Sequence, residues 1–234
     1  MMASPLALSA DGSLKLVIFD CDGVLVDSEE TCCRISAQEA RAAGMDVPDD
    51  LAVDTFSGMA LPSIQDVIEQ KTGKSLGADW AARTQARFVA AMKQGVEPID
   101  GVYAMLEDVT KLGLPVRVGS NSSVEEMDAK FIATNLTPYF EGRIHSARDM
   151  GIPKPRPDVY LHAAKEEQVA PANCVVLEDS NTGARAAIDA GMMCVLLRKA
   201  GEEVPDWPNL VVIHHLCEFA PLLKEALKAQ GRLA

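Results

Sequence analysis

The stretch that decides the fold is FDCDGVLVDSE, which runs from Phe19 to Glu29. It completes the apolar run LKLVI, whose composition is that of a strand buried on both faces. Two aspartates, Asp20 and Asp22, stand where this strand ends, and Gly23 follows them. Residues i and i+2 of an extended chain point to the same side, so we expect both carboxylates to face one small site.

Further apolar segments resemble the first strand, and helical patterns separate them. Strands are predicted at residues 14–19, 115–119, 174–178, 193–197 and 211–213. Helices are predicted at residues 101–112, 124–135, 158–168 and 184–190, with one more at the C-terminal end. This alternation predicts an α/β fold, a Rossmann-like parallel sheet with helices on both of its faces.

Residues 28–97 have a different character, because they are rich in helix formers and contain no convincing strand. We therefore expect an all-helical domain to be inserted after the first strand. The α/β core would then be discontinuous and consist of residues 14–27 and 98–234.

The charge of the chain limits its partners. Its 234 residues carry a formal net charge of −12, which repels nucleic acid and anionic membranes and makes a bound cation more favourable. The apolar fraction of 48% and the charged fraction of 24% are ordinary for a soluble globular protein. We expect a monomer that binds a small molecule rather than a nucleic acid or a membrane.

The cysteines and the N-terminal residues indicate a location. The six cysteines form no CxxC pair and no disulfide framework, which is typical of buried thiols in a reducing compartment. The first residues have neither a basic start nor a long apolar stretch, so we expect no signal peptide, and no segment has the length of a membrane span. The sequence therefore predicts a cytoplasmic protein.

Polar residues follow several of the predicted strands. Ser120 and Asn121 follow the second strand, and Glu178 and Asp179 end the third, while Lys154 lies in a proline-rich loop between the two. Ligands of an open parallel sheet bind beyond the carboxyl ends of its strands. Each group alone is typical of a helix cap or a solvated turn, but their arrangement at strand ends favours one joint site.

The predicted site is rich in acids, and it also contains hydrogen-bond donors. Four carboxylates in one place need a cation or raised pKa values, and Mg²⁺ is the usual cation for oxygen ligands. The acids are Asp20, Asp22, Glu178 and Asp179. Donors suited to phosphate oxygens are Ser120, Asn121, Lys154 and the backbone at Gly23. This combination predicts phosphoryl transfer with a carboxylate nucleophile.

These segments, taken in order, resemble the four motifs of the haloacid dehalogenase-like superfamily of hydrolases. FDCDGVLVDSE is similar to its first motif, GSNSS to its second, the lysine of IPKPRPDVY to its third, and VVLEDSNTGARAAIDAGM to its fourth. The helical insertion resembles the cap of the subgroup that contains beta-phosphoglucomutase, phosphoglycolate phosphatase and many sugar-phosphate phosphatases. From here on, residues 28–97 are called the cap.

The resemblance implies a role for each site residue. Asp20 would attack phosphorus and form an aspartyl-phosphate, and Asp22 would act as the general acid and base. Mg²⁺ would be held by Asp20, the backbone carbonyl of Asp22 and Asp179, with Glu178 as a direct ligand or as the partner of one. The phosphate group would be held by Ser120, Asn121 and Lys154. The cap would close over the site and recognise the rest of the substrate.

The resemblance leaves alternatives to a simple phosphatase. Beta-phosphoglucomutase has basic cap residues for a second phosphate, whereas the corresponding stretch here, residues 56–61, contains no lysine or arginine. This difference favours a Mg²⁺-dependent phosphatase acting on a small phosphorylated metabolite, a sugar phosphate above all. A phosphomutase is the first alternative, and a non-catalytic module that binds a phosphorylated metabolite is the second.

Overall fold

The computed structural model describes residues 8–10, 12–57 and 59–233 of the chain. The expectation that the chain starts without a signal peptide concerns mainly residues 1–7, which lie outside the described part. None of the described helices combines the length and the apolar composition that a membrane crossing requires.

Six parallel strands form the main sheet, and two short strands pair separately. Within the described part of the chain the strands are β1 Leu16–Phe19, β2 Val26–Asp27, β3 Glu97–Pro98, β4 Val116–Ser120, β5 Ile144–Ser146, β6 Cys174–Glu178, β7 Met193–Leu197 and β8 Leu210–Ile213. The sheet order is β5-β4-β1-β6-β7-β8. Strands β2 and β3 make an antiparallel pair of their own.

Helices connect the strands and cover both faces of the sheet. The described α-helices are α1 Glu29–Ala43, α2 Ala52–Phe56, α3 Leu61–Thr72, α4 Trp80–Gln94, α5 Val102–Lys111, α6 Val124–Ala133, α7 Thr137–Phe140, α8 Asp158–Glu166, α9 Asn181–Asp189 and α10 Phe219–Ala229. The predicted α/β class with a parallel sheet is confirmed.

Strand β1 shows why the sheet is buried on both faces. All four of its side chains are fully buried, and alternate residues point in opposite directions. Val17 and Phe19 pack into a core beneath α5, α6 and α10, whereas Leu16 and Ile18 pack against α8 and α9. A continuous apolar run is therefore what this central strand requires.

Aromatic packing fixes the carboxyl end of β1. The ring of Phe19 makes edge contacts with Phe140 and Phe219, each at a centroid distance of 5.9 Å. These contacts come from α7 and α10, so two helices far apart in the chain hold the residue that precedes Asp20.

Helices α1 to α4 surround an apolar cluster that is separate from the clusters of the sheet. Phe56, Ile64, Trp80 and Phe88 are among its buried members. The β2–β3 pair lies where the chain leaves the sheet and returns to it, with Val26 opposite Pro98. Helix α4 also packs against α6 of the sheet layer, through a small cluster that includes residues 89, 92 and 129.

The structure differs from the predicted elements in a few places. Strand β5 was not predicted, because it has only three residues and includes a histidine, so it lacks an apolar run. Strand β4 extends through Ser120, so this serine is the last residue of the strand. Helix α9 begins at Asn181, before the predicted start at residue 184, because the Ser180 hydroxyl accepts a hydrogen bond from the Gly183 amide and caps the helix.

We expect Phe19→Ala to lower the free energy of unfolding by about 3–5 kcal/mol, because it removes a fully buried ring and leaves a cavity among packed aromatic groups. Urea denaturation of both proteins measures the difference. The control is Ile132→Ala, whose side chain is 70% exposed and should change stability by no more than about 0.5 kcal/mol. Equal losses in the two variants would contradict this description of the core.

Candidate active site

The register of the parallel strands brings the first two acids together. Phe19 of β1 lies opposite Leu177 of β6, so the residues that follow them, Asp20 and Glu178, end level with each other on adjacent strands. The Asp20 amide donates to the Leu177 carbonyl at 2.9 Å, which continues the ladder by one residue. Two carboxylates on neighbouring strand ends therefore need a cationic partner.

Lys154 is that partner. Its Nζ lies 2.6 Å from Asp20 Oδ1 and 2.7 Å from Glu178 Oε1, and its side chain is only 3% exposed. Its backbone amide donates to Asn121 Oδ1 at 2.9 Å, so the second strand end also positions the lysine loop. Burial lowers the pKa of the Lys154 ammonium, but the two carboxylates outweigh this effect and raise it above its usual value.

The Glu178 carboxylate is saturated with hydrogen bonds. Besides Lys154, Tyr160 donates to Oε1 at 2.7 Å, and Oε2 accepts from the Asp179 amide and from the amide and hydroxyl of Ser180, each at 3.0 Å. A Cβ at Gly183 would lie 1.6 Å from Oε1, so the first turn of α9 leaves room for this carboxylate only because glycine stands there. Glu178 is thus locked in one orientation.

Three carboxylates form a set that fits a hard cation. Oxygens of Asp20, Glu178 and Asp179 lie within 4.8 Å of one another. All the atoms that could bind the metal are oxygens, which suits Mg²⁺ rather than a softer metal. A Cβ at Gly23 would lie 1.9 Å from Asp179 Oδ2, so the tight loop after β1 needs glycine to admit this carboxylate.

The electrostatics of the cluster also favour a bound cation. Burial, and next to it the Glu178 charge, raise the pKa of Asp20 to about 7 despite the neighbouring Lys154. Burial and the same neighbour raise the pKa of Asp179 well above its usual value. One lysine therefore does not compensate three acids, and a divalent cation would supply the missing positive charge.

Asp22 lies in a different environment from Asp20. Its Oδ1 accepts from Lys130 Nζ at 2.6 Å and from the Ser28 hydroxyl, and its Oδ2 accepts from Ser122 Oγ at 2.7 Å. Burial raises the pKa of Asp22, but Lys130 and the hydroxyl donors outweigh it and hold the pKa below its usual value. The Asp22 side chain is not part of the carboxylate cluster that fits a cation, which is a finding the i, i+2 spacing did not predict.

The residues that were predicted to bind phosphate lie around the carboxylate cluster. Ser120 is buried, and its Oγ accepts from the Ser122 amide at 3.0 Å. Asn121 is exposed to the cavity, and Gly23 adopts a φ of +78° in the loop after β1. The structure thus brings Ser120, Asn121, Gly23 and Lys154 together around the carboxylates.

A cavity of about 610 Å³ opens above the carboxylates, a size that suits a small metabolite. The sheet layer contributes the carboxylate cluster and three cations, which are Lys130, Arg148 and Lys154, while the cap contributes one acid, Glu29. The described cap residues in the wall include Phe56, Leu61 and other apolar side chains, with no lysine or arginine among them. The side of the cavity that the sheet layer forms is charged, and the side that the cap forms is mainly apolar.

Sequence reasoning missed several residues of the site. Lys130 follows Met127 by three positions and precedes Thr134 by four, so the helical period places it in a buried stripe, and this was a usable signal. Tyr160 and Ser28 gave no such signal. Tyr160 donates to Glu178 on a different strand, and Ser28 donates to Asp22 across the loop after β1. Ser122 and Ser123 both precede α6 and are both typical N-cap residues, so the sequence does not separate them; Ser123 caps α6, and the Ser122 hydroxyl donates to Asp22.

Comparison with known proteins assigns the chain to a family. The family model described as haloacid dehalogenase-like hydrolase matches residues 14–191. This range includes every residue of the carboxylate cluster and the cap. The predicted family resemblance is confirmed.

Individual relatives agree with this match. The 6-phosphogluconate phosphatase of Escherichia coli is 33% identical over 93% of this chain and 96% of its own length. A haloacid dehalogenase-like protein of unknown function from Agrobacterium tumefaciens has 30% identity and a TM-score of 0.74, covering 91% of this chain and 98% of that one. A family hydrolase from Deinococcus radiodurans, solved with phosphate and sodium, has 29% identity and a TM-score of 0.72, covering 96% and 99%.

We expect Gly23→Ala to weaken Mg²⁺ binding by about 10- to 100-fold, because the new methyl group would displace the Asp179 carboxylate. Isothermal titration calorimetry with Mg²⁺ measures the change.

The matched control is Gly191→Ala. Gly191 has a φ of +77°, close to that of Gly23, but a Cβ there would meet nothing within 4 Å. Both variants place a Cβ on a residue of positive φ, which costs about 1–2 kcal/mol, and only Gly23→Ala has the clash. If the two variants bind Mg²⁺ equally well, Asp179 is not a metal ligand.

Proposed function

Because the chain belongs to the haloacid dehalogenase-like hydrolases, we propose that it is a Mg²⁺-dependent phosphatase that hydrolyses a small sugar phosphate through an aspartyl-phosphate intermediate. The observation that carries this proposal is the buried Asp20, whose carboxylate is fixed by Lys154 at the floor of a cavity of metabolite size.

Asp20 is the nucleophile. Its carboxylate lies at the end of β1 and is oriented through Oδ1 by the Lys154 ammonium at 2.6 Å. It attacks phosphorus, the bond to the ester oxygen breaks, and the phosphoryl group is transferred to the carboxylate. Water then attacks the phosphorus of the acyl phosphate, which releases inorganic phosphate and restores Asp20.

Asp22 moves the protons. It protonates the leaving ester oxygen in the first step and takes a proton from the attacking water in the second. Its side chain remains 32% exposed, so it is accessible from the cavity while Lys130 and two hydroxyl groups hold it. Without substrate, Lys130 and the hydroxyl donors hold the pKa of Asp22 below its usual value, so its acid role requires that it takes up a proton when the negatively charged ester binds beside it.

The metal would be held by the side chains of Asp20 and Asp179 and by the Asp22 carbonyl. Glu178 is engaged by five hydrogen-bond donors, which supports a role in orienting the cluster. When bound, Mg²⁺ neutralises the acids and the phosphate oxygens and keeps Asp20 ionised for attack. Phosphate oxygens would be bound by Lys154, Ser120, Asn121 and the backbone at Gly23.

Substrate recognition is assigned to the cap. Residues 28–97 would form a domain that closes on the core about the β2–β3 pair, with its apolar wall around Phe56 and Phe88 against the leaving group. Glu29, Ser36 and Arg148 add polar groups to the cavity wall, where the hydroxyl groups of a bound sugar would meet them. The relative named 6-phosphogluconate phosphatase supports a sugar phosphate as substrate class.

A phosphomutase would need a second phosphate site, and the cap side of the cavity argues against one. Its described wall residues carry no lysine or arginine, so a second dianion would meet no cationic partner from the cap. Gly58, within the stretch 56–61, lies outside the described residues.

A cytoplasmic location is part of the proposal. All six cysteines are free thiols, and Cys21, Cys33, Cys174 and Cys194 are buried, which agrees with function in a reducing compartment.

We expect the protein to release inorganic phosphate from at least one ester in a panel of sugar phosphates, phosphoglycolate and nucleotides, and to lose this activity when Mg²⁺ is removed with a chelator. Asp20→Asn should lower the rate by at least about 1,000-fold, because the nearly isosteric amide is not a nucleophile. Circular dichroism checks that the variant is folded. Activity in Asp20→Asn near the wild-type rate would show that Asp20 is not the nucleophile. A folded wild-type protein that binds esters without turnover would instead favour the non-catalytic binding module.

A second measurement separates hydrolysis from phosphoryl transfer between sugar positions. With a sugar 1-phosphate as substrate, we expect free phosphate and free sugar, with no dependence on an added sugar bisphosphate. Product analysis by ³¹P NMR distinguishes the two reactions. Accumulation of the 6-phosphate isomer, stimulated by the bisphosphate, would identify a mutase instead.

A further inference from the structure

Lys130 is a buried lysine that lies outside the four family motifs. It lies on α6, is 1% exposed, and its Nζ is 2.6 Å from Asp22 Oδ1 and 2.8 Å from Ser122 Oγ. The Ser122 hydroxyl in turn donates to Asp22 Oδ2 at 2.7 Å. The three side chains close a ring in which both carboxylate oxygens of Asp22 have a donor.

A lysine at this position needs a functional explanation. Lysine is almost never fully buried unless it is paired, because its ammonium loses its hydration. The same helix position would be filled by an apolar side chain if packing alone mattered, since Met127 and Phe131 beside it are buried. The titratable groups that raise the pKa of the Lys130 ammonium are Asp22, Cys21 and Glu126, and Asp22 has the largest effect of the three.

The ring restrains the direction of the Asp22 carboxylate. Lys154 binds Asp20 and Glu178 on the β6 side of the site, whereas Lys130 binds Asp22 on the α6 side. Each lysine engages a different aspartate, so the two acids of the first motif are held apart. An aspartate side chain has few rotatable bonds, and donors on both of its oxygens leave it little freedom.

We propose that Lys130 is a positioning residue for catalysis: with Ser122, it holds the Asp22 carboxylate where it exchanges a proton with the leaving ester oxygen. In this role Lys130 acts through Asp22 and not on the phosphate or the metal. The proposal rests on the phosphatase function given above, and it extends that function to a residue outside the four motifs.

The test compares two leaving groups. A sugar alkoxide leaves only when it is protonated, whereas p-nitrophenolate leaves without a proton, so the acid role of Asp22 matters for the first alone. We expect Lys130→Met to lower kcat/KM for the best sugar phosphate by about 100-fold and for p-nitrophenyl phosphate by less than about tenfold. Lys165→Met, which changes an exposed lysine on α8, should alter neither.

A merely structural role for Lys130 predicts something else. A general loosening of the site would lower kcat/KM for both substrates by the same factor, and that result would overturn the proposal. A wild-type protein that hydrolyses no ester would overturn the phosphatase function as well, so the two failures are distinguishable.

If Lys130→Met folds poorly, a double variant tests the same proposal. The double variant Asp22→Asn/Lys130→Met leaves no unpaired charge at the site, which favours folding. If Lys130 acts through Asp22, kcat/KM of the double variant should stay within about twofold of Asp22→Asn alone, because the two changes remove the same function. If the two losses multiply instead, Lys130 does not act through Asp22.

Discussion

The contact on which the site depends is the one between the Lys154 ammonium and the carboxylates of Asp20 and Glu178. The parallel register of β1 and β6 forces these two acids to end side by side, where both are buried. Without a buried cation they would repel each other, and removal of one partner from such a pair leaves an uncompensated charge. The proline-rich loop after β5 therefore has to deliver a lysine to this point.

Other local features follow from crowding carboxylates at one edge of the sheet. Glycine is needed at Gly23 and Gly183, since a methyl group at either would collide with Asp179 or Glu178. The pKa values of Asp20 and Asp179 are raised because burial and mutual repulsion exceed what one lysine offsets. This excess of negative charge would be offset by the divalent cation that we propose for the site.

Much of the fold could be predicted because buried parallel strands need continuous apolar runs, and β1, β6 and β7 have them. Strand β5 could not, because a three-residue edge strand carries no such pattern. The site residues predicted at strand ends lie around one cavity, since strand polarity alone dictates this. The direction of the Asp22 side chain was beyond sequence reasoning, because it depends on Lys130, 108 positions away.

The central claim is that Asp20 becomes phosphorylated. The direct measurement is acid quenching of the Asp22→Asn variant during turnover of p-nitrophenyl phosphate, followed by mass spectrometry of its peptides. Loss of the base slows hydrolysis of the intermediate, so the account predicts a phosphoryl group on the peptide that contains Asp20, and none when Asp20 is also changed to Asn. A phosphoryl group on another residue of an active protein would contradict the account.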